Sequence, residues 1–312
     1  MVNCNINTIF VFMVKVNEMR VLKLSDGIAE VQIAPSLGAS VLAYNVLIDN
    51  KRRAIFRESI APITVLDSCN FPLVPFSNRI RDGKFNWQGE LVKLPLNTLP
   101  EKHTNHGHGW QAEWNIIEVN ENSVLMQYTH TADEWPFPYQ AMQKISLEQG
   151  ELTIELSIKN TGSNTMPAGL GLHPYFTRTP LSRLMTDVDK MWAVDSECMP
   201  TEIVDPPHGL VSGTGINIDN NKLDNALVGF KQQAQVEWPE WGIHANMTTS
   251  SNCKFLVVYS PEKEDFFCVE PVTHCTDAFN LSNDGHQDTG MNELTQGEEF
   301  SMWMKIEPSQ IV

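Results

Sequence analysis

Two residues that can move protons stand directly before proline: His173 in Gly-Leu-Gly-Leu-His-Pro-Tyr-Phe and Glu270 in Cys-Val-Glu-Pro-Val. A proline ring clashes with the residue in front of it and drives that residue out of the helical region into extended geometry. The chain therefore holds one imidazole and one carboxylate on stiff backbone in apolar surroundings. An imidazole that titrates near neutrality and an ionised carboxylate are what proton transfer without a cofactor requires. Each has a plainer reading. A lone histidine is most often a hydrogen-bonded core residue. A carboxylate between Val269 and Pro271 is harder to bury idly, and is either paired with a cation or poised for chemistry.

Two further segments carry polar groups in unusual density. In Asn70-Phe-Pro-Leu-Val-Pro-Phe-Ser-Asn78-Arg79-Ile-Arg-Asp-Gly83, two prolines stiffen the chain and Asp82-Gly83 closes a turn before Lys84-Phe-Asn-Trp87. Asn78 and Arg79 are donors that could grip ligand hydroxyls; taken alone, a structural ion pair for Arg79 and a turn cap for Asn78 is the simpler reading. His103-Thr-Asn-His106-Gly-His108-Gly-Trp110 packs three imidazoles into six residues. His-x-His can ligate zinc, but no cysteine or acidic residue stands close by to complete a shell. The glycines favour tight backbone with exposed rings, hence hydrogen bonding of a ligand over a metal. Trp110 could stack on the apolar face of a sugar, although most of the eight tryptophans must be core. Asp224, in Lys-Leu-Asp-Asn, reads on its own as a turn residue.

The elements that must hold these groups are strands. Ala29 to Ile33 alternates, Ser40 to Ile48 and Ser123 to His130 are apolar-rich, and Met142–Leu147 and Leu152–Ile158 flank the turn Glu148-Gln-Gly150. Lys254–Tyr259, Phe266–Val269 and Phe300–Ile306 follow. Such β-branched and aromatic runs, broken by Gly, Pro, Asn and Asp, predict antiparallel strands. Helical spacing is absent apart from short turns expected near 180–190. The fold class is therefore all-β, a single large antiparallel β-sandwich, with two packed smaller β-domains as the alternative. Residues 1–12 read as an N-terminal tail and 13–312 as the domain.

The formal net charge of -16 argues against nucleic acid or an anionic membrane as partner. Cys4, Cys69, Cys198, Cys253, Cys268 and Cys275 show no CxxC and no framework spacing, which reads as reduced thiols in a cytoplasmic protein. The apolar run Ile9–Val14 lacks a preceding basic residue and is too short for a secretory core or a membrane span. No phosphate-binding glycine loop, nucleotide fingerprint, Gly-x-Ser-x-Gly elbow or His-Glu-x-x-His occurs. Acid–base work without a cofactor survives, or binding without chemistry.

Taken in order, Phe71–Gly83, His106–Trp110, Gly169–Phe176, Leu223-Asp224 and Val269–Val272 resemble the aldose 1-epimerase (galactose mutarotase) family. The resemblance implies the family's large β-sandwich with an open sugar-binding face, a small-molecule sugar as substrate, and interconversion of the α and β anomers of a free aldohexose. It implies Glu270 as general base at the anomeric O1 hydroxyl and His173 as general acid at the ring oxygen. His106 would support the ring oxygen, and Asn78, Arg79 and Asp224 would hold hydroxyls. The His103–His108 run resembles one subgroup's version of a loop that elsewhere has His-Gly-Gly. No metal, nucleotide or redox cofactor is implied. Reference pKa values of about 4.3 and about 6.5 make Glu⁻ with HisH⁺ the natural state near neutrality, each raising the other's charged form. That predicts a bell-shaped pH profile. Three rivals remain. A hexose-6-phosphate 1-epimerase would draw on Lys51, Arg52, Arg53, Arg81 and Lys84. A non-catalytic carbohydrate-binding sandwich would not need His173. A glycosidase would pair Asp224 with Glu270.

Overall fold

The computed structural model describes residues 10–16 and 19–311. At Glu148-Gln-Gly-Glu151 both central residues have positive φ, 53° for Gln149 and 85° for Gly150. That geometry matches the right-handed twist of two strands joined by a two-residue turn. It links Tyr139–Glu148 to Glu151–Asn160 in unbroken register. Along the first of these strands apolar residues are buried at every second position, as the pleat requires.

These two strands lie inside a nine-stranded sheet running from Asn115–Val119 through Ser123–His130 to Glu299–Gln310, Ile243–Thr249, Gln233–Trp238, Arg183–Thr186 and Ile216–Asn217. An eight-stranded sheet runs Pro200–Val204, Lys190–Val194, Asp224–Val228, Phe255–Tyr259, Phe266–Val272, Gly171–Leu172 and Pro72–Leu73, with Tyr175–Thr177 also on Phe266–Val272. A five-stranded meander from Phe10–Val16 to Lys51–Ala54 completes the large sheets. Neighbouring strands pair antiparallel, and one hydrophobic core draws on all three sheets, for instance Val31, Ile154, Met304, Val258 and Val269. The molecule is an all-β antiparallel sandwich.

Each strand run expected from the sequence is a strand here, several longer than read: Phe266–Val269 extends to Val272 and Phe300–Ile306 to Glu299–Gln310. The expected helical turns near 180–190 are a correction. Arg183–Thr186 is a strand hydrogen-bonded to Gln233–Trp238, and the described α-helices are His208–Val211 and Ala278–Asn283. The run is too short for its period to be read, and the sheet edge settles it. Of the segment read as a tail, residues 1–9 lie outside the described residues, and Phe10–Val16 pairs along its length with Met19–Ser25. Among the described residues no helix is long and apolar enough to cross a membrane.

Candidate active site

Phe266–Val272 is buried at every position, so both faces of this strand are covered. Val269 and Phe267 face the core, and the alternation turns Cys268 and Glu270 the other way. Cross-strand register then assembles a face. Glu270 lies opposite Val257, and Cys268 is flanked by Tyr259 on one side and Tyr175 on the other. Tyr259 in turn pairs with Asp224. The pairings Gly171↔Val272 and Tyr175↔Cys268 bracket His173, which sits in the gap between two short strands at the level of Glu270. Pro174 supplies no N–H there, which breaks the ladder at that step. The two X-Pro residues thus meet: His173 Nε2 is 3.3 Å from Glu270 Oε1.

A second wall comes from two loops locked together. His106 (φ 59°) and Gly107 (φ 69°) turn left-handed, and a Cβ on Gly107 would meet Val74 O at 2.6 Å and Pro75 Cδ at 2.5 Å. Only glycine lets the histidine loop close on the proline-stiffened segment. The clamp is reciprocal: Asn78 N–H donates to His106 Nδ1 at 2.9 Å, and His106 N–H donates to Asn78 O at 2.9 Å. The first bond leaves the ring proton on Nε2, so His106 is a fixed neutral donor. Burial, then the neighbouring His173 and Arg79, hold its pKa well below the ordinary value. Arg79 reaches Glu101 Oε2 at 3.3 Å and Asp224 Oδ2 at 3.7 Å. That ion-pair triad ties the loop to the sheet, and Arg79's charge is neutralised within the protein.

Glu270, His173, His106, Asn78, Arg79, Asp224 and Trp110 all line one open cleft of about 870 Å³. Trp110 is 2% exposed, with Nε1–H donating to Gly107 O at 3.1 Å. It supports a stack: Trp110 on Phe71 (5.4 Å), Phe71 on His173 (4.6 Å) and His173 on Tyr175 (4.7 Å). The Arg57 guanidinium covers the outer face of Tyr175 at 3.9 Å. His108 does not line the cleft. It stacks on His130 at 4.4 Å and contacts Tyr139 OH at 3.0 Å, behind the loop that carries His106. His103 is pinned by the Asp82 N–H on Nδ1 at 3.0 Å. Lys51, Arg52, Arg53, Arg81 and Lys84 do not line the cleft either.

Three contributors were not read from the sequence. Arg57 and Glu101 belong to no motif, and their roles follow from long-range packing. His274 accepts the Ser77 N–H on Nε2 and contacts Cys275 O through Nδ1. Its ring occupies the space a side chain on Gly169 would need, which is the physical reason for glycine in Gly-Leu-Gly-Leu-His.

Burial reverses the expected proton affinities. It pushes Glu270 well above the ordinary carboxylate range, Asp224 adds to this and Arg79 opposes it. It pulls His173 down to about 3, with Arg57 adding to the shift. Sequence reasoning weighed the partner's charge and could not see that both faces of the strand are covered. Glu270 Oε2 and His173 Nδ1 are buried without hydrogen-bond partners. Two groups could approach a metal: His108, His130 and Asp133, and His173, Cys268 and Glu270. Burial holds the Cys268 thiol well above its usual pKa, away from the thiolate a metal takes.

A family model described as aldose 1-epimerase matches residues 20–307. The uncharacterized Escherichia coli K12 protein YphB is 30% identical over 250 residues, 77% of this chain and 83% of its own length. A galactose mutarotase-like protein from Clostridium acetobutylicum shares the fold at a TM-score of 0.86 with 20% identity, covering 97% of this chain and 99% of that one. Galactose 1-epimerase from Lactobacillus acidophilus NCFM aligns at a TM-score of 0.75 with 14% identity, over 97% and 99%.

Proposed function

The chain belongs to the aldose 1-epimerase family, and on that premise we propose that it interconverts the α and β anomers of a free aldohexose such as glucose or galactose. The observation that carries the reading is the meeting of His173 and Glu270 at 3.3 Å on one wall of an open cleft. Glu270 takes the proton from O1 as the C1–O5 bond breaks and C1=O1 forms. His173 gives a proton to O5. Rotation about C1–C2 presents the other face of the aldehyde, and the two groups then run in reverse. The number of protons on the pair is the same before and after a full cycle, so no outside donor is consumed. An O1–H donated to the unpartnered Glu270 carboxylate favours the ionised form that burial alone disfavours. His106 Nε2–H is aligned by its backbone bond to hold the ring oxygen, and Asn78, Arg79 and Asp224 supply hydroxyl partners.

A sugar phosphate is less well served. The two arginines lining the cleft are engaged, Arg79 by Glu101 and Asp224, and Arg57 by Ser68 O (2.7 Å) and Leu66 O. A binding module without chemistry leaves the perturbed pair unused. We also place the protein in the cytoplasm, since the cysteines among the described residues are all free and four of the five are buried. The test is equilibration of pure α-glucose and pure α-galactose followed by polarimetry. Wild type should reach equilibrium far ahead of the uncatalysed rate, and Glu270→Gln and His173→Asn should each lose about 10²- to 10⁴-fold in kcat. Full activity in either variant overturns the assignment.

A further inference from the structure

The cleft is larger than one hexose. Even at about 30 Å³ per heavy atom, the share a water takes in the liquid, the twelve heavy atoms of a hexose fill about 360 Å³. The cleft measures about 870 Å³. Beyond it lies a side pocket of about 260 Å³ that shares Arg79, Pro100 and Glu101 with the cleft. Glu270 and His173 line the cleft and not this pocket, so the pocket opens past the hydroxyl-binding arginine, away from the reacting carbon.

Its own lining is Lys102, His103, Ser196, Glu197 and Cys198. Lys102 is paired with Glu197, and Arg79 with Glu101, so the charges balance. A wall of paired charges offers donors and acceptors without a net field, which suits a neutral polyhydroxylated ligand better than an anion. His103 is 2% exposed, and its Nδ1 accepts the Asp82 N–H. The proton therefore sits on Nε2, which has no hydrogen-bond partner; Glu197 Oε2 stands 3.4 Å away without closing one. An unmade bond from a buried donor is unfavourable, and a ligand hydroxyl would satisfy it.

Resting on the epimerase reading, we propose that the substrate is the reducing end of a di- or oligosaccharide, with its second glycosyl unit seated in the side pocket beyond Arg79. The reducing hexose occupies the catalytic part of the cleft, and its neighbour meets His103, Ser196 and Glu197.

The test is calorimetric binding of maltose, lactose and melibiose against glucose, because binding reads the pocket whether or not turnover occurs. At least one disaccharide should bind about tenfold more tightly than glucose, the equivalent of one or two added hydrogen bonds. Ser196 is exposed in the turn between Lys190–Val194 and Pro200–Val204, so Ser196→Trp fills the pocket mouth without disturbing the core. That variant, and Lys102→Ala as a milder second, should lose the disaccharide preference and keep glucose affinity and glucose equilibration. Glucose binding as tightly as all three disaccharides, or a preference untouched by Ser196→Trp, overturns the inference. Absence of catalysed equilibration on every sugar overturns the epimerase reading instead, and the binding comparison still decides the pocket.

Discussion

Within the His173–Glu270 pair, moving one proton between nitrogen and oxygen leaves the pair neutral, whereas adding or removing one leaves a net charge in a buried site. His173 is 7% exposed and Glu270 2%, so the singly protonated pair is favoured over a wide pH range, and the two titrations belong to the pair. Catalysis needs that same single proton. The acid limb of kcat should follow the His173 value of about 3 and the alkaline limb the raised Glu270. A kcat profile measured at saturating sugar should show no inflection at about 6.5, the ordinary histidine value; one centred there would refute the assignment. Stability carries the same sign. Glu270's folded pKa lies above its unfolded value, so the native state takes up a proton in that window and stability falls as pH rises through it. Glu270→Gln has no such proton to hold. Thermal unfolding at pH 4 and pH 8 should show the variant gaining on wild type at the higher pH, even though it is inactive. The two reacting residues were legible because proline marks its neighbour as extended. The direction of their shifts was not, because nothing in Cys-Val-Glu-Pro-Val says what covers the far face of the strand. His108 was misplaced for a related reason: glycines on both sides leave open which way each ring points, and Tyr139 and His130 decide it.

At the scale of elements, the site depends on how closely backbones approach. The Gly169 segment leads into His173, and an added Cβ at Gly169 would meet the His274 ring at 1.7 Å. His274 cannot step aside, since its ring bonds Ser77 and Cys275 backbone on either side. Gly169→Ala should therefore cost about 1–3 kcal/mol of stability, the range for overpacking a filled interior. It should also lower kcat for sugar equilibration, because the displaced segment carries His173. Wild-type melting temperature and wild-type kcat in that variant would show that the approach is not restrictive. Strand identity was readable wherever alternation lasted five residues or more, as in Ser123–His130. It failed at Arg183–Thr186, four residues whose partner Gln233–Trp238 lies far along the chain. Arg57 was silent for the same reason. Its stacking on Tyr175 and its bonds to the Leu66–Ser68 backbone are contacts that only the closed fold brings about.

The whole molecule adds a field that the cleft alone does not have. Twenty-two Lys and Arg against thirty-eight Asp and Glu leave a formal charge of -16, which neither attracts nor repels a neutral sugar but repels a dianionic one. Inside the cleft Arg57 and Arg79 face Glu101 and Asp224, and Arg79 is paired with both acids, so no local excess of positive charge offsets the global one. Two outcomes separate the free-sugar reading from its phosphate rival. At low ionic strength kcat/KM for glucose 6-phosphate should lie at least about tenfold below that for glucose, a difference of about 1.4 kcal/mol in barrier. Raising salt from about 0.01 M to about 0.15 M shrinks the screening length from about 30 Å to about 8 Å. The phosphate's disadvantage should narrow across that range while the glucose rate stays flat. Faster turnover of the phosphate at low salt, weakening as salt is added, would mean a cationic seat that the paired arginines do not provide, and would transfer the substrate assignment to the sugar phosphate.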